Sequence, residues 1–353
     1  MNTEFRVDQL EQAVAEVEAV VGQSFAGADL SGANLAGGVF QCVDFSATDF
    51  TGARLHEAIF LDCSLDGSVL NDVTAVRALF HDCRSDSLRI ENADLTQARI
   101  VNCALTNAAF NRASMVHTVL ARATLHDATF EGARLEHTKF VECNLLRPDF
   151  TGCLLERVVL MGSDLRGAGL AGCRFQRANL IKTVWSGMQL SELDFSQSQF
   201  MGADLSGADL SRCCLEYCNF QDARLADAVL ADANASGALF VGADLTRADF
   251  TGANLYQAVL ERASAAQACL AGANAWQTYW AGAVLADAKA DGAELTYADF
   301  SHADLSNASL VDARLHRAVL HRANLDGADM PQRKQALGDD PERLQAETWA
   351  PTD

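Results

Sequence analysis

Three groups of residues in this 353-residue chain have the types and spacing to do chemistry. Gly167-Ala168-Gly169-Leu170-Ala171-Gly172 spells GxGxxG, the pattern that lets a pyrophosphate approach backbone N–H groups at the start of a helix. Cys63, Cys83, Cys103 and Cys143 are spaced by multiples of 20, and Cys153, Cys173 and Cys213 form a second such series; thiolates in rows could hold a soft metal or pair as disulfides. His117 and His137, also 20 apart, could offer two imidazoles. Each loses its chemistry in context. The glycine run lies inside a regular five-residue pattern with no helix to follow it. Side chains repeated in phase point the same way, so the cysteines read as small core fillers, reduced in a chain without a secretory start. The two histidines read as part of a solvated surface. No Walker sequence, GxSxG, HExxH or CxxC pair occurs. The chain therefore reads as a non-enzyme with no cofactor and no metal.

The element that must position everything else is a repeat. Stepping by five from Phe25 lands on Leu30, Leu35, Phe40, Phe45 and onward to Met330, 62 positions without a register slip. Fifty-four of these centres are Leu, Phe, Ile or Met; Trp185 and Trp280 bring the large apolar total to 56, and 17 of the 18 Phe are among them. Two residues before each centre, from Ala28 to Ala328, 37 of 61 positions are Ala and eight are Cys. Neither the 3.6-residue period of a helix nor the two-residue period of a strand produces a strict period of five. A coil that turns a corner every five residues does.

Stretches such as Ala203-Asp204-Leu205-Ser206-Gly207-Ala208-Asp209-Leu210 and Gly242-Ala243-Asp244-Leu245-Thr246 resemble the A(D/N)LxX motif of the pentapeptide-repeat family. The resemblance spans residues 25–330 and implies an all-β fold, the family's right-handed quadrilateral β-helix with four pentapeptides per coil. The centre and the small residue two before it would point inward. On that reading there are about 15 coils, and at the ~4.8 Å strand spacing they would stack into a rod about 75 Å long. One coil cannot bury its own Leu and Phe; stacked coils can. Leu88, Met188 and Leu193 are oversized for the small slot and Pro148 there removes a donor, so local bulging is expected beside them.

The three expected regions are residues 1–24 as an N-terminal helix and cap, 25–330 as the β-helix, and 331–353 as a C-terminal cap. Leu10, Val14, Val17 and Val21 fall on one face of a helix drawn over residues 5–21. Asp340-Pro341-Glu342-Arg343 resembles a helix start leading to Trp349.

With 20 residues per coil, outward residues sort onto four sides. Side 1, centred on Phe25, Phe45 and Leu65, carries 11 Asp against five Arg; side 2, centred on Leu30, Phe50 and Leu70, carries 13 acids against four bases. Asp204, Asp209, Asp244 and Asp249 represent this acidic surface. Side 3, centred on Leu35 and Leu55, gathers arginines, including Arg314, with Tyr217, Tyr256, Trp276 and Tyr297, residue types enriched at interface hot spots. Side 4, centred on Phe40, Phe60 and Phe80, has an apolar exterior. Before its centres stand Val39, Ile59, Leu79, Val119, Val159, Leu239, Val259 and Tyr279; after them stand Leu61, Val101, Val141, Met161, Ile181, Met201 and Val241. Such a stripe exceeds what a soluble monomer usually exposes.

The expected function is a protein–protein interaction scaffold, with an unidentified protein partner or a second copy on the apolar side. The formal charge of −20 argues against direct contact with nucleic acid, and no stretch approaches the ~18 apolar residues of a membrane span, so a cytoplasmic protein is the default. The family resemblance implies two alternatives. One is a DNA mimic that binds a type II topoisomerase; the other is an accessory to a bacterial secretion effector. For the mimic, ~75 Å of duplex at one charge per ~1.7 Å carries about 44 charges, far more than these sides supply.

Overall fold

The computed structural model describes residues 7–348. Residues 5 and 6 of the expected N-terminal helix, and Trp349, lie outside them. The chain divides into two compact units, Met1–Val184 and Trp185–Asp353, and the division falls within the repeat.

In the first unit, helix α1 (Val7–Ala15) precedes seven three-residue strands: β1 (Ala19–Val21), β2 (Val39–Gln41), β3 (Ile59–Leu61), β4 (Leu79–His81), β5 (Arg99–Val101), β6 (Val119–Ala121) and β7 (Lys139–Val141). They form one all-parallel sheet in sequence order, each strand pairing with the one 20 residues on, as Phe40 pairs with Phe60. The other three sides are joined coil to coil by single parallel bridges with the same 20-residue step, such as Asp29 with Asp49 and Asn34 with Arg54. The fold is thus the β-solenoid expected. Continuous strands account for six steps of one side, fewer than the coils counted from the repeat.

The second unit keeps the step entirely through isolated bridges, including Asp204 with Arg224, Asp209 with Val229, Cys214 with Asn234 and Asn219 with Leu239. It ends in a 3-10 turn, Arg333–Gln335, and helix α2, Pro341–Glu347. Asp340 caps α2 as its sequence predicts, accepting from the Glu342 and Arg343 N–H groups with Pro341 in the first turn.

The corners explain why five residues suffice. After Phe25 the chain folds back so that Ala28 N–H donates to the Phe25 carbonyl at 2.9 Å, with Gly27 at a φ of 69°. That left-handed residue recurs two after each centre from Phe25 to Leu325, and it is often not glycine: Asp72 (58°), Arg77 (59°), His117 (58°) and Tyr297 (60°) all adopt it. Ordinary side chains pay for this conformation with roughly 1 kcal/mol or more each, so the stacked core must hold them there.

Inside, centres from successive coils stack at the strand repeat. Phe40, Phe60 and Phe80 form one column and Phe200, Phe220 and Phe240 another, each with 4.9 Å between neighbouring centroids. The small slot tolerates hydroxyls and thiols because an acceptor waits for them: Thr48 Oγ1 donates to the Phe25 carbonyl and Ser68 Oγ to that of Phe45, both at 2.7 Å, while Cys153 and Cys173 reach the Phe130 and Phe150 carbonyls at 2.8 Å.

The N-terminal boundary corrects the reading of the sequence. The repeat starts one centre earlier, since Val20 is buried and pairs with Phe40. Helix α1 is shorter than expected, burying Leu10 and Val14; Val17 and Val21, assigned to its apolar face, are 87% and 53% exposed. The helix ends because Val17 turns left-handed (φ 59°), with Val17 N–H donating to Val14 and Glu18 N–H to Ala13, a Schellman stop without glycine. Gly38 marks where α1 sits: a Cβ there would stand 2.7 Å from the Phe40 ring and 3.0 Å from Val14.

The expected irregularity near Pro148 is present. On side 1 the bridge series runs to Thr124 with Asn144 and resumes at Asp164 with Val184. A cleft of about 580 Å³, lined by Asn144, Leu146, Ser163 and Asp164 among others, opens there. Leu88 and Leu193 by contrast are accommodated and buried.

Candidate interaction surfaces

Side 4 places its apolar residues on the outer face of the seven-stranded sheet. Val39, Ile59, Leu79, Val119 and Val159 stand in one row by register, with Arg99 and Lys139 interleaved. Beside them stand Leu61, Val101, Val141, Met161 and Ile181, of which Val141 and Met161 are exposed and the others half-buried. In the second unit Leu239, Val259 and Tyr279 continue a row of their own, broken by Asn219 and Asp299, with Met201 and Val241 half-buried alongside.

On side 3 of the second unit the aromatic residues form a chain of contacts. Tyr256 and Trp276 stack at 5.2 Å with 1° between planes, Trp276 meets Tyr297 edge-on at 5.8 Å, and the Arg317 guanidinium lies 5.8 Å from the Tyr297 centroid. Stacking covers ring faces and leaves edges outward, a poor platform for a ligand that must lie flat on a ring. Tyr217 stands apart, 65% exposed, its ring over Gly237, where a Cβ would meet it at 2.6 Å. Arg314 pairs with Glu294 at 3.3 Å. Beneath these runs an amide ladder: Asn274 donates to Asn254 and Asn254 to Asn234, each at 3.0 Å.

The acidic residues have local work. Asp204, Asp209, Asp244 and Asp249 each accept the backbone N–H two residues on, from Ser206, Ser211, Thr246 and Thr251, at 2.9–3.1 Å. Asp204 also faces Arg224 at 3.5 Å. The D in A(D/N)LxX is therefore a turn acceptor as well as a surface charge.

The glycine, cysteine and histidine motifs of the sequence lie within the repeat itself. Gly167 and Gly172 are left-handed corners and Gly169 bridges Asp149. Burial pushes the Cys173 and Cys213 thiols up to about 12, and Cys83 is held at about 12 by its hydrogen bond with Cys103 and then by burial. All 11 cysteines are free, and the Cys83, Cys173 and Cys213 thiols, so hard to ionise, are poor ligands and nucleophiles. His117 and His137 stack at 4.5 Å, with Arg157 3.3 Å from His137 Nε2, an unfavourable neighbour for a metal ion.

One cluster escaped the sequence reading. Glu347 of α2 reaches His302 Nε2 at 3.3 Å and His321 Nε2 at 3.2 Å, and His321 is fully buried. The donor set could suit a metal, but the Asp340 N–H donates to His321 Nδ1 at 3.1 Å, which leaves the ring proton on Nε2, facing the carboxylate. Arg322 and Arg343 also approach Glu347, at 3.6 and 3.9 Å. The cluster is a polar latch for α2, which buries no residue of its own. Only the fold brings these residues together, because they lie 26 and 45 positions apart in the chain.

The family description Pentapeptide repeats (8 copies) matches residues 22–52, 48–84, 170–207, 203–240, 223–262, 268–307 and 298–332, and Pentapeptide repeat region matches 103–185. The chain belongs to the pentapeptide-repeat family. No curated protein matches this pentapeptide-repeat chain. Solved structures similar to it include HetL, a pentapeptide repeat protein involved in heterocyst differentiation regulation from Nostoc sp. strain PCC 7120, at 24% identity over 72% of this chain and 91% of that one, TM-score 0.21. Full-length QnrB1, a plasmid-mediated fluoroquinolone resistance protein, is 18% identical over 70% of this chain and 97% of its own, TM-score 0.20. Among the described residues no helix of this pentapeptide-repeat protein is long and apolar enough to cross a membrane.

Proposed function

We propose that this pentapeptide-repeat protein is a non-enzymatic interaction scaffold whose main docking surface is the outer face of side 4. The observation that carries this is the all-parallel sheet β1–β7, whose outward rows are mostly apolar and uncovered. Parallel sheets are normally covered on both faces, and an exposed apolar stripe marks a place where another surface belongs. The repeat supplies flat, parallel rows of side chains in place of the convergent pocket that catalysis requires. The partner is a protein, and a second copy of this chain is one form it could take.

The duplex-mimic reading gains no support from the aspartates, since those chosen to represent the acidic sides are engaged in their own corners. The test of the docking reading is affinity capture with the full chain beside a Val159→Lys/Ile181→Lys variant, with light scattering on both. A partner, or a dimer, lost in the variant while its melting profile is retained supports the reading. Partners and oligomeric state identical in the two proteins sink it.

A further inference from the structure

The charges on side 4 of the first unit narrow what the docking surface can accept. The inference rests on the docking reading above. From Leu79 onward the outer row alternates: Leu79, Arg99, Val119, Lys139, Val159. The neighbouring row from Val101 to Ile181 is apolar throughout, and the corners beyond it add Arg122 and Lys182. All four cations are exposed, and none of their side chains makes a hydrogen bond or ion pair with a described residue. Most other arginines of this unit are matched, as Arg147 with Asp127 at 2.7 Å and Arg166 with Asp164 at 2.6 Å, the exceptions among the described residues being Arg54 and Arg174 on side 3. Glu142 is the one acid on this stretch of side 4, and Asp82 at its margin is engaged with His81 and Asn102. A chain with a formal charge of −20 thus leaves a run of free cations among valines on one face.

We propose that this stretch binds an acidic amphipathic helix laid along the stacking direction. Arg99 and Lys139 lie two coils apart, about 9.6 Å at the strand spacing. A helix advances about 10.5 Å per heptad, so carboxylates seven residues apart face both cations, and the long side chains absorb the difference. Apolar residues three and four positions along the helix then fall between them, over Val119 and Ala121, flanked by Val101 and Val141. The outward face is three extended residues wide, roughly 7 Å between outer Cα atoms, a width suited to one helix of ~10 Å diameter. A lipid surface fits worse. The strip is narrow, and the adjoining side 1 is charge-balanced beside it, with Asp86, Asp127 and Asp164 against Arg84, Arg147 and Arg166, so it adds no attraction for anionic headgroups.

The test uses the full chain and two labelled helical peptides of 21 residues or so. One carries Glu at every seventh position with Leu three and four positions on; its twin has Lys in place of each Glu. Anisotropy titrations are expected to show the acidic peptide binding, more weakly as salt rises, with the twin at least about tenfold weaker. Arg99→Glu/Lys139→Glu, at exposed positions and checked by its melting profile, is expected to reverse that preference. Equal affinity for the two peptides, binding of neither, or binding of phosphatidylserine vesicles in place of the acidic peptide overturns the proposal. A native partner lost in Val159→Lys/Ile181→Lys but retained by Arg99→Glu/Lys139→Glu keeps the docking face and rejects the acidic helix.

Discussion

Asp249 Oδ1 accepts both the backbone N–H of Thr251, at 2.9 Å, and its hydroxyl, at 2.5 Å. One carboxylate thereby holds a corner of the coil while presenting charge on side 2. Charge reversal at this position mixes the two roles; Asp249→Asn keeps an acceptor and removes the charge. Asp249→Ala is expected to cost about 1 kcal/mol and Asp249→Asn distinctly less, read from chemical denaturation. Equal losses in the two variants would show that the charge, rather than the turn, is what the residue contributes.

Phe220 lies between Phe200 and Phe240 with nearly parallel planes, 12° and 5°. Phe220→Ala removes a buried ring from a column that cannot close over the gap without breaking the coil spacing. A loss of about 3–5 kcal/mol is expected, with hydrogen exchange rising first in the adjoining coils. Because each coil contacts only its neighbours, α1 is expected to keep its protection.

Gly38→Ala tests how α1 is seated. The added methyl meets the Phe40 ring and Val14, so a cost of roughly 1–3 kcal/mol is expected. The readout is exchange in residues 7–15; unchanged protection there would place the helix elsewhere.

Thiol reactivity follows from burial. At pH 8 in the native state exposed Cys42 is expected to react first and the buried Cys83, Cys173 and Cys213 to resist, with all 11 reacting once the chain is unfolded. Rapid native reaction at the buried rows would contradict their packing.

Glu347 sets an acid limit for the C-terminal helix. Its partial burial works against ionisation, yet hydrogen bonds from His321 and His302 outweigh that and hold its carboxyl below the ordinary 4.5. A carboxyl lowered in the folded state gives its full contribution above the ordinary value and loses it as pH falls through the lowered one. Exchange protection over residues 341–347 is therefore expected to persist at neutral pH and to vanish in acid, while the rest of the second unit stays folded. Glu347→Gln is expected to reproduce the loss at pH 7.

The solenoid was legible because its signal is global: 62 centres in phase leave no other period to weigh. The ends were not legible, for a local reason. Val17 looks like one more apolar residue on a helical face, and only its left-handed backbone shows that the chain has already left the helix. Val20 belongs to the core although no residue of the repeat precedes it. The arithmetic of the four sides placed Leu79, Val119 and Val159 in one row correctly, since a 20-residue step needs no knowledge of contacts. It could not show that Asp204 and Asp249 are turn acceptors, or that Glu347 comes back to meet His302 and His321, because neither follows from spacing.

Two residues after each centre from Phe25 to Leu325 the backbone takes the same left-handed turn whether the side chain is arginine, aspartate, glutamine, histidine or tyrosine. Inheritance of shape is thereby separated from inheritance of specificity. Mutation can rewrite these outward-facing positions one by one while the interior columns keep the same architecture, so a lineage carrying this fold can change what it recognises without first having to risk coming apart.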